Sequence, residues 1–314
     1  MSIQKIAIES REQWLALREL DVTASVAAAL YGVHPYHSVY SLWALKKRLI
    51  TEDPEETPAM RRGRHLEPVA TAVLLEQHPD WRIEEPKVYL RDPEGRIGAT
   101  PDRYVYIPEK PGFGVLQIKS VEESIFKRKW ITEDGAIEPP LWIGVQAEVE
   151  RHLSGANFAM VGVVRAGFGL DCSAITIPPV PGLMKRTYSL VADFWRLVAS
   201  DTRPDPDYEK DGKLLEALWT GGGSEAVLDL STDNHLVDLA DEKARLAEQK
   251  REIDDRQKQI KAEFLHKLGS ASAGKIADGR IITAKKVDRA GYTVQASSYI
   301  DVRVKQPRGN GASE

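Results

Sequence analysis

Apolar positions recur at helical spacing through the first quarter of the chain. Ser10 is placed to cap a helix carrying Trp14, Leu15, Leu17 and Arg18, and Thr23 or Ser25 to cap a shorter one, Val26 to Leu30, stopped at Gly32. Ser41 to Leu49 forms a third amphipathic stretch. The acidic, proline-bearing run Thr51 to Pro58 reads as a loop. Gly63 to Gln77 returns to helix, with Leu66, Val69, Ala70, Val73 and Leu74 on one face.

The period then shortens. Lys87 to Arg91, Ile97 to Ala99, Arg103 to Ile107 and Gly114 to Val121 read as a small meander of strands, the last two joined by the turn Pro108 to Phe113. Leu141 to Leu153 is predicted helical, and Phe158 to Arg165 is an unbroken apolar run, hence a buried strand beside Asp171 to Ile177. Leu183 to Ser200 is a helix with Leu190, Phe194, Trp195 and Val198 inward. Residues 1–203 are therefore expected to form an α/β core with a mixed sheet flanked by helices. Residues 204–230, rich in Pro, Asp and Gly, read as a linker. Residues 231–305 are expected to form an arm. It has a polar helix from Ser231 or Thr232 to Leu268, roughly 55 Å long at ~1.5 Å per residue, then a β-hairpin of Gly279–Val287 with Tyr292–Val304. Leu239, Leu246, Ile253 and Ile260 repeat every seven residues along that helix, a narrow stripe fit to pack or pair. Residues 306–314 are expected to be disordered.

Composition narrows the function classes. The chain has 314 residues, 42% hydrophobic and 29% charged, the profile of a soluble globular protein. Cys172 is the single cysteine, which excludes an internal disulfide framework and any four-cysteine zinc or iron–sulfur site, and points to a reducing cytoplasm. The N-terminal residues lack the apolar core of a signal peptide, and no apolar run is long enough to span a membrane. There is no phosphate-cradling Gly-x-x-x-x-Gly-Lys-Ser/Thr loop, so an ATP-driven motor is not supported. The net charge of −4 argues only weakly against nucleic acid, because basic residues cluster locally at Lys46–Arg48, at Arg61, Arg62 and Arg64, and at Lys127–Lys129.

Candidate chemistry centres on Thr100-Pro101-Asp102 and Gln117-Ile118-Lys119. Side chains alternate along a strand, so Gln117 and Lys119 share a face, and a hairpin brings Asp102 beside them. A carboxylate, an amide oxygen and a lysine in one pocket suit Mg²⁺ and a phosphodiester.

The order Arg11-x-x-Trp14-Leu15-x-x-Arg18, Thr23-Ala24-Ser25, Gly63-x-x-x-Glu67, Thr100-Pro101-Asp102, Gln117-x-Lys119 and a Gln146-bearing helix resembles the YqaJ-like viral recombinases, the lambda-exonuclease-type members of the PD-(D/E)xK nuclease superfamily. The resemblance covers roughly residues 9–200. It implies a restriction-endonuclease-like core, and a phage- or prophage-encoded exonuclease of the bacterial cytoplasm. Such an enzyme uses Mg²⁺, with Mn²⁺ as a substitute, to degrade one strand of duplex DNA from its 5′ end. The 3′ overhang then passes to a single-strand annealing protein, and known members are homotrimeric rings.

By position, the resemblance makes Asp102 the central metal ligand, with Gln117 and the Ile118 backbone carbonyl as further ligands. Lys119 is the water-activating lysine, Glu67 supports a second metal, and Gln146 positions water or phosphate. Arg18, Ser25 and Thr100 grip the 5′-terminal phosphate. The basic clusters at Arg61, Arg62, Arg64 and Lys127–Lys129 would line the channel of the ring.

Gln117 departs from the family, which usually has Glu there. It is either natural variation offset by Glu122, Glu123 or the second metal, or an engineered Glu→Gln change. It also keeps open a cleavage-weakened scaffold that binds DNA ends and loads an annealing protein. His34, Tyr36 and His37 occupy the place of the family's basic residue at the duplex entry and read equally as surface loop.

Overall fold

The computed structural model describes residues 2–51, 56–166, 169–219, 227–288, 291, 296 and 299–304. They fall into two compact units, Met1–Trp219 and Thr220–Glu314.

The first unit opens with β1 (Gln4–Ala7), α1 (Arg11–Glu19), β2 (Val22–Thr23) and α2 (Ala24–Ala27). Ser10 caps α1 as expected, its hydroxyl accepting from Gln13 N at 3.1 Å. α2 runs into a 3₁₀ turn, Ala28–Tyr31, that ends at Gly32 in the left-handed region. α3 (Val39–Lys46) is held by a Ser38–Ser41 capping box. α4 (Pro58–Gln77) starts earlier than its apolar face predicts, because Thr57 caps it and Pro58 fits the first helical position.

Then come β3 (Arg82–Glu84), β4 (Val88–Asp92), β5 (Ile97–Ala99), β6 (Arg103–Tyr106), β7 (Gly114–Glu122), α5 (Glu123–Lys129), α6 (Leu141–Ser154), β8 (Phe158–Ala166), β9 (Leu170–Ile177), α7 (Leu183–Ala199) and α8 (Gly212–Leu218).

The strands do not form one meander. β4 and β5 pair within a sheet of order β1-β4-β5-β2, while β6 and β7 belong to a second sheet, β3-β6-β7-β8-β9. The chain changes sheets at Thr100-Pro101-Asp102, where proline has no N–H to continue a ladder. The second sheet is mixed, with β7 parallel to β8 and its other pairs antiparallel. This is the helix-flanked mixed sheet expected from the sequence.

β7 divides the core by alternation. Leu116 and Ile118 pack with Ala70 and Leu74 of α4, while Val115 packs with Phe126 of α5 and with Ile143 and Ala147 of α6. Gln117 and Lys119 therefore face α6. A third cluster, including Val22, Leu90, Ile97, Val149 and Phe194, joins the first sheet to α6 and α7.

The first unit extends past residue 203. Leu214 and Leu218 of α8 pack on that third cluster. Buried Asp211 accepts from the Ser38 hydroxyl at 2.8 and 2.7 Å. Part of the segment read as linker is thus core, because its apolar pair is too short to show a period.

The second unit contains α9 (Asn234–Leu268), β10 (Ala273–Lys275) and β11 (Ile281–Thr283). The hairpin pairs Ala273 with Thr283 and turns through Asp278-Gly279, so its first strand lies upstream of the expected one. Asp-Gly is a turn signal, and Gly279 sits in the hairpin turn rather than at a strand start. Of the expected second strand, residues 292–295, 297 and 298 lie outside the described residues, as do the linker glycines 221–223 and the tail 306–314. The stripe on α9 is open, with Leu239 44%, Leu246 52% and Ile253 58% exposed. Among the described residues no helix is long and apolar enough to cross a membrane.

Candidate active site

The crossing between the two sheets builds the site. Thr100 ends the first-sheet segment, and its Oγ1 accepts from Trp14 Nε1 of α1 at 3.0 Å. One turn along α1, the Arg18 guanidinium lies 4.5 Å from the Trp14 ring centroid. β2 runs parallel to β5 with Thr23 opposite Gly98, which brings the α2 start to the same place. There Thr23 Oγ1 lies 3.0 Å from Ser25 Oγ. Trp14, Arg18, Thr23, Ser25, Thr100, Asp102, Gln146 and Glu150 line one cavity of about 340 Å³. Arg18, Ser25 and Thr100 thus line the same cavity as Asp102 and Gln146.

A directed hydrogen-bond chain crosses the floor. Lys119 has only donors, and its Nζ donates to Gln146 Oε1 at 3.0 Å. Gln146 must then present its NH₂, which donates to Gln117 Oε1 at 2.8 Å and Glu150 Oε1 at 2.9 Å. Gln117 in turn donates through Nε2 to Asp102 Oδ2. Ile118 N adds a bond to the same oxygen at 2.8 Å. β6 stops opposite Leu116, which leaves this edge of β7 to Asp102. The Ile118 carbonyl, on the same edge as its N–H, faces that side too. Arg103 closes the turn, donating from Nη1 to the Asp102 carbonyl at 2.6 Å.

The carboxylates crowd one another. Burial raises the Asp102 pKa, opposed first by Lys119. Burial and then the Asp102 charge raise Glu150 well above the usual carboxylate range. Glu67, on α4, is pushed up to about 7 by burial and then by Asp102, with Arg103 and Lys119 pulling the other way. Burial and mutual repulsion thus favour the protonated acids, and a bound cation would favour their ionised forms.

The donor set is hard oxygen: the carboxylates of Asp102, Glu67 and Glu150 and the Ile118 carbonyl. That fits Mg²⁺ or Mn²⁺ rather than a metal needing thiolate or imidazole. Among the described residues no three His, Cys, Asp or Glu side chains already stand in metal-holding geometry. One orphaned atom fits the cation, since Glu150 Oε2 is buried without a hydrogen-bond partner.

The structure redistributes some expected roles. Gln117 is buried, its oxygen taken by Gln146 and its nitrogen turned to Asp102, so here it orients the Asp102 carboxylate. Glu122 and Glu123 do not stand beside it. Glu123 pairs with Lys127 at 3.2 Å on α5, and Glu122 lies roughly 16 Å along the strand from Gln117 at ~3.3 Å per residue. Glu150 is the residue the sequence reading missed. Its signal is the spacing to Gln146, which puts the two on one helix face.

His34 is not a surface residue. Its Nδ1 accepts from Tyr36 N at 3.1 Å and His37 N at 2.9 Å, and burial first, then His37, lowers its pKa to about 4. Its ring stands edge-on to Trp142, which also lies beneath the Lys119 ammonium. Of the basic clusters, Arg64 pairs with Glu56 at 2.9 Å, while Arg61, Arg128 and Lys129 are exposed.

Residues 13–150 match the family model of the YqaJ-like viral recombinase domain. A comparison with curated proteins finds no match. Among solved structures, the alkaline exonuclease LHK-Exo from Laribacter hongkongensis is similar over 65% of this chain and 98% of its own, at 21% identity and a TM-score of 0.48. The shutoff and exonuclease protein from Kaposi's sarcoma-associated herpesvirus is similar over 61% of this chain and 69% of its own, at 13% identity and a TM-score of 0.34. A SOX–DNA complex is similar over 62% and 70%, at 14% identity and a TM-score of 0.38. These TM-scores lie below 0.5, and the site rests on this chain's own residues.

Proposed function

We propose that this chain, with its YqaJ-like segment, is a divalent-cation-dependent exonuclease that enters linear duplex DNA at a 5′ end and leaves a 3′ single strand. The observation that carries the reading is the cavity joining Arg18, Ser25 and Thr100 to Asp102 and Gln146. One wall offers a guanidinium and hydroxyls, which suit a terminal phosphate. The same cavity offers the carboxylates of Asp102 and Glu150, with Lys119 joined to it through Gln146, which suit hydrolysis of the next phosphodiester.

Asp102 would hold the cation with the Ile118 carbonyl, and Glu67 would serve a second one. When bound, Mg²⁺ or Mn²⁺ supplies an activated water and offsets phosphate charge. Lys119 has three donors, so its bond to Gln146 leaves capacity to orient a water or phosphate oxygen. Gln146 fixes that ammonium and, through Gln117, the face Asp102 presents. Arg18 holds the end so that one register of backbone reaches Asp102. The wider reading is a cytoplasmic homotrimer that encloses the duplex with Arg61, Arg62, Arg64 and Lys127–Lys129 toward the channel, and hands its product to a single-strand annealing protein.

The engaged amide of Gln117 favours a second reading, a DNA-end scaffold that cuts weakly and loads the annealing protein. Digestion of linear duplex with 5′-phosphate or 5′-hydroxyl ends, in Mg²⁺ and in EDTA, separates the two. Cation-dependent cleavage that prefers the phosphate supports the exonuclease. End binding without cleavage supports the scaffold, and cleavage in EDTA removes both metal and centre.

A further inference from the structure

Glu150 lies one helical turn beyond Gln146 on α6 and is 1% exposed. Its Oε1 accepts from Gln146, while its Oε2 is buried and accepts nothing. A buried carboxylate oxygen without a donor is costly, and such atoms are rare in native proteins. The two Gln146 amide hydrogens are already committed to Gln117 and Glu150 Oε1, so Gln146 cannot satisfy Oε2. Glu150 lines the same cavity as Asp102. On the facing strand, position 117 is neutral and spends its nitrogen on Asp102. The strand is thus neutral where the resemblance leads one to expect an acid, and the helix is acidic one turn beyond the expected glutamine.

We propose that the second carboxylate of the divalent-cation site is Glu150 on α6, and that Gln117 is a positioning residue that holds Asp102. The inference rests on the metal-dependent reading above and deepens it. Charge counting supports the exchange. Asp102 with Glu150 places two carboxylates on the cavity, the number Asp102 would make with an acid at 117. An acid at 117 in addition would set oxygen against Asp102 where a hydrogen bond now stands. A neutral residue at 117 needs no help from Glu122 or Glu123.

The test is Mn²⁺ binding to the full chain without DNA, read by the electron paramagnetic resonance signal of free Mn²⁺, beside thermal unfolding in EDTA. Glu150→Gln is expected to weaken Mn²⁺ at least about tenfold, the lower bound of what removing even an outer partner of a metal costs. It should also melt no lower than the parent in EDTA, because an amide still accepts from Gln146 and no longer carries the cost of a buried carboxyl. Gln117→Glu in the Glu150→Gln background should restore affinity to within about threefold of the parent by returning the charge. Unchanged Mn²⁺ affinity in Glu150→Gln, with Asp102→Asn weakened, overturns the assignment of Glu150 and leaves the metal-dependent reading standing. Unchanged affinity in Asp102→Asn as well removes that reading. A Glu150→Gln protein that melts lower or fails to fold makes Glu150 structural and also overturns the proposal, as does a double variant that recovers nothing.

Discussion

The cavity at the sheet crossing and the helix α9 use the same residue types to opposite ends. On α9, Arg251 meets Glu248 at 2.6 Å and Lys258 meets Asp255 at 2.8 Å, with every one of these side chains more than half exposed. Water screens such pairs, and each is worth only about 0.3–0.5 kcal/mol. In the cavity, Lys119, Gln146, Gln117 and Asp102 form one chain with a single direction, and Gln117 and Gln146 are buried. There burial and neighbouring charges raise the pKa values of Asp102, Glu150 and Glu67. Close pairing alone marks neither region as functional. Burial decides, because it converts a solvated charge into one that must be answered by a donor, a proton or a cation.

The largest effect should come from breaking the chain at its ends. Lys119→Ala should cut cleavage by about 10²–10⁴-fold, the usual worth of a positioned proton-transfer group, and Asp102→Asn by no less. DNA-end binding, followed by fluorescence anisotropy, should persist in both. Single-turnover digestion at the parental rate in either variant would place the chemistry elsewhere.

Next is Arg18→Ala, at the proposed phosphate-binding side of the cavity. A charged hydrogen bond contributes roughly 1.5–3 kcal/mol, so the preference for 5′-phosphate over 5′-hydroxyl ends should fall by about tenfold or more. Competition between the two ends in one digestion reads the ratio directly, and an unchanged ratio means the end is held by other groups.

A smaller effect concerns Glu67. Its folded pKa, about 7, lies above the ordinary carboxylate value, so the metal-free fold prefers the protonated acid. The sign follows from linkage: its contribution is fully present below the unfolded pKa and is lost as pH rises toward about 7. The loss should be on the order of 1 kcal/mol, allowing for partial solvent screening. Denaturant midpoints in EDTA between acid and neutral pH should show it, and Glu67→Gln should flatten the curve. Parallel curves for parent and variant would mean that neither burial nor Asp102 holds Glu67 above its ordinary value.

The smallest effect belongs to α9. Glu248→Ala removes the partner of Arg251 and should change stability by less than about 0.5 kcal/mol. A loss several times larger would show that α9 charges are buried against a partner in solution, which would undo the contrast with the cavity.

Hydrophobic pattern alone located α6, β7, β8 and α7 to within about a residue or two, because α6, β7 and α7 are long enough to repeat a period and β8 is an unbroken apolar run. Alternation on β7 likewise put Gln117 and Lys119 on one face, and the Thr100-Pro101-Asp102 turn marked where a carboxylate would join them. Those are local facts, carried by backbone geometry. The sequence also held the Gln146–Glu150 spacing, but spacing does not say whether a helix face is wet. Only the packing of α6 against β7 and the core did, and it turned an unremarked acid into a buried one. The same holds for β2, two residues long and paired with a strand far along the chain, and for α8, whose apolar residues are too few to form a pattern. The change of sheet at Pro101 was decided there as well. A missing N–H shows that a ladder must stop, but where the chain goes next depends on which distant strands bury the most apolar surface together.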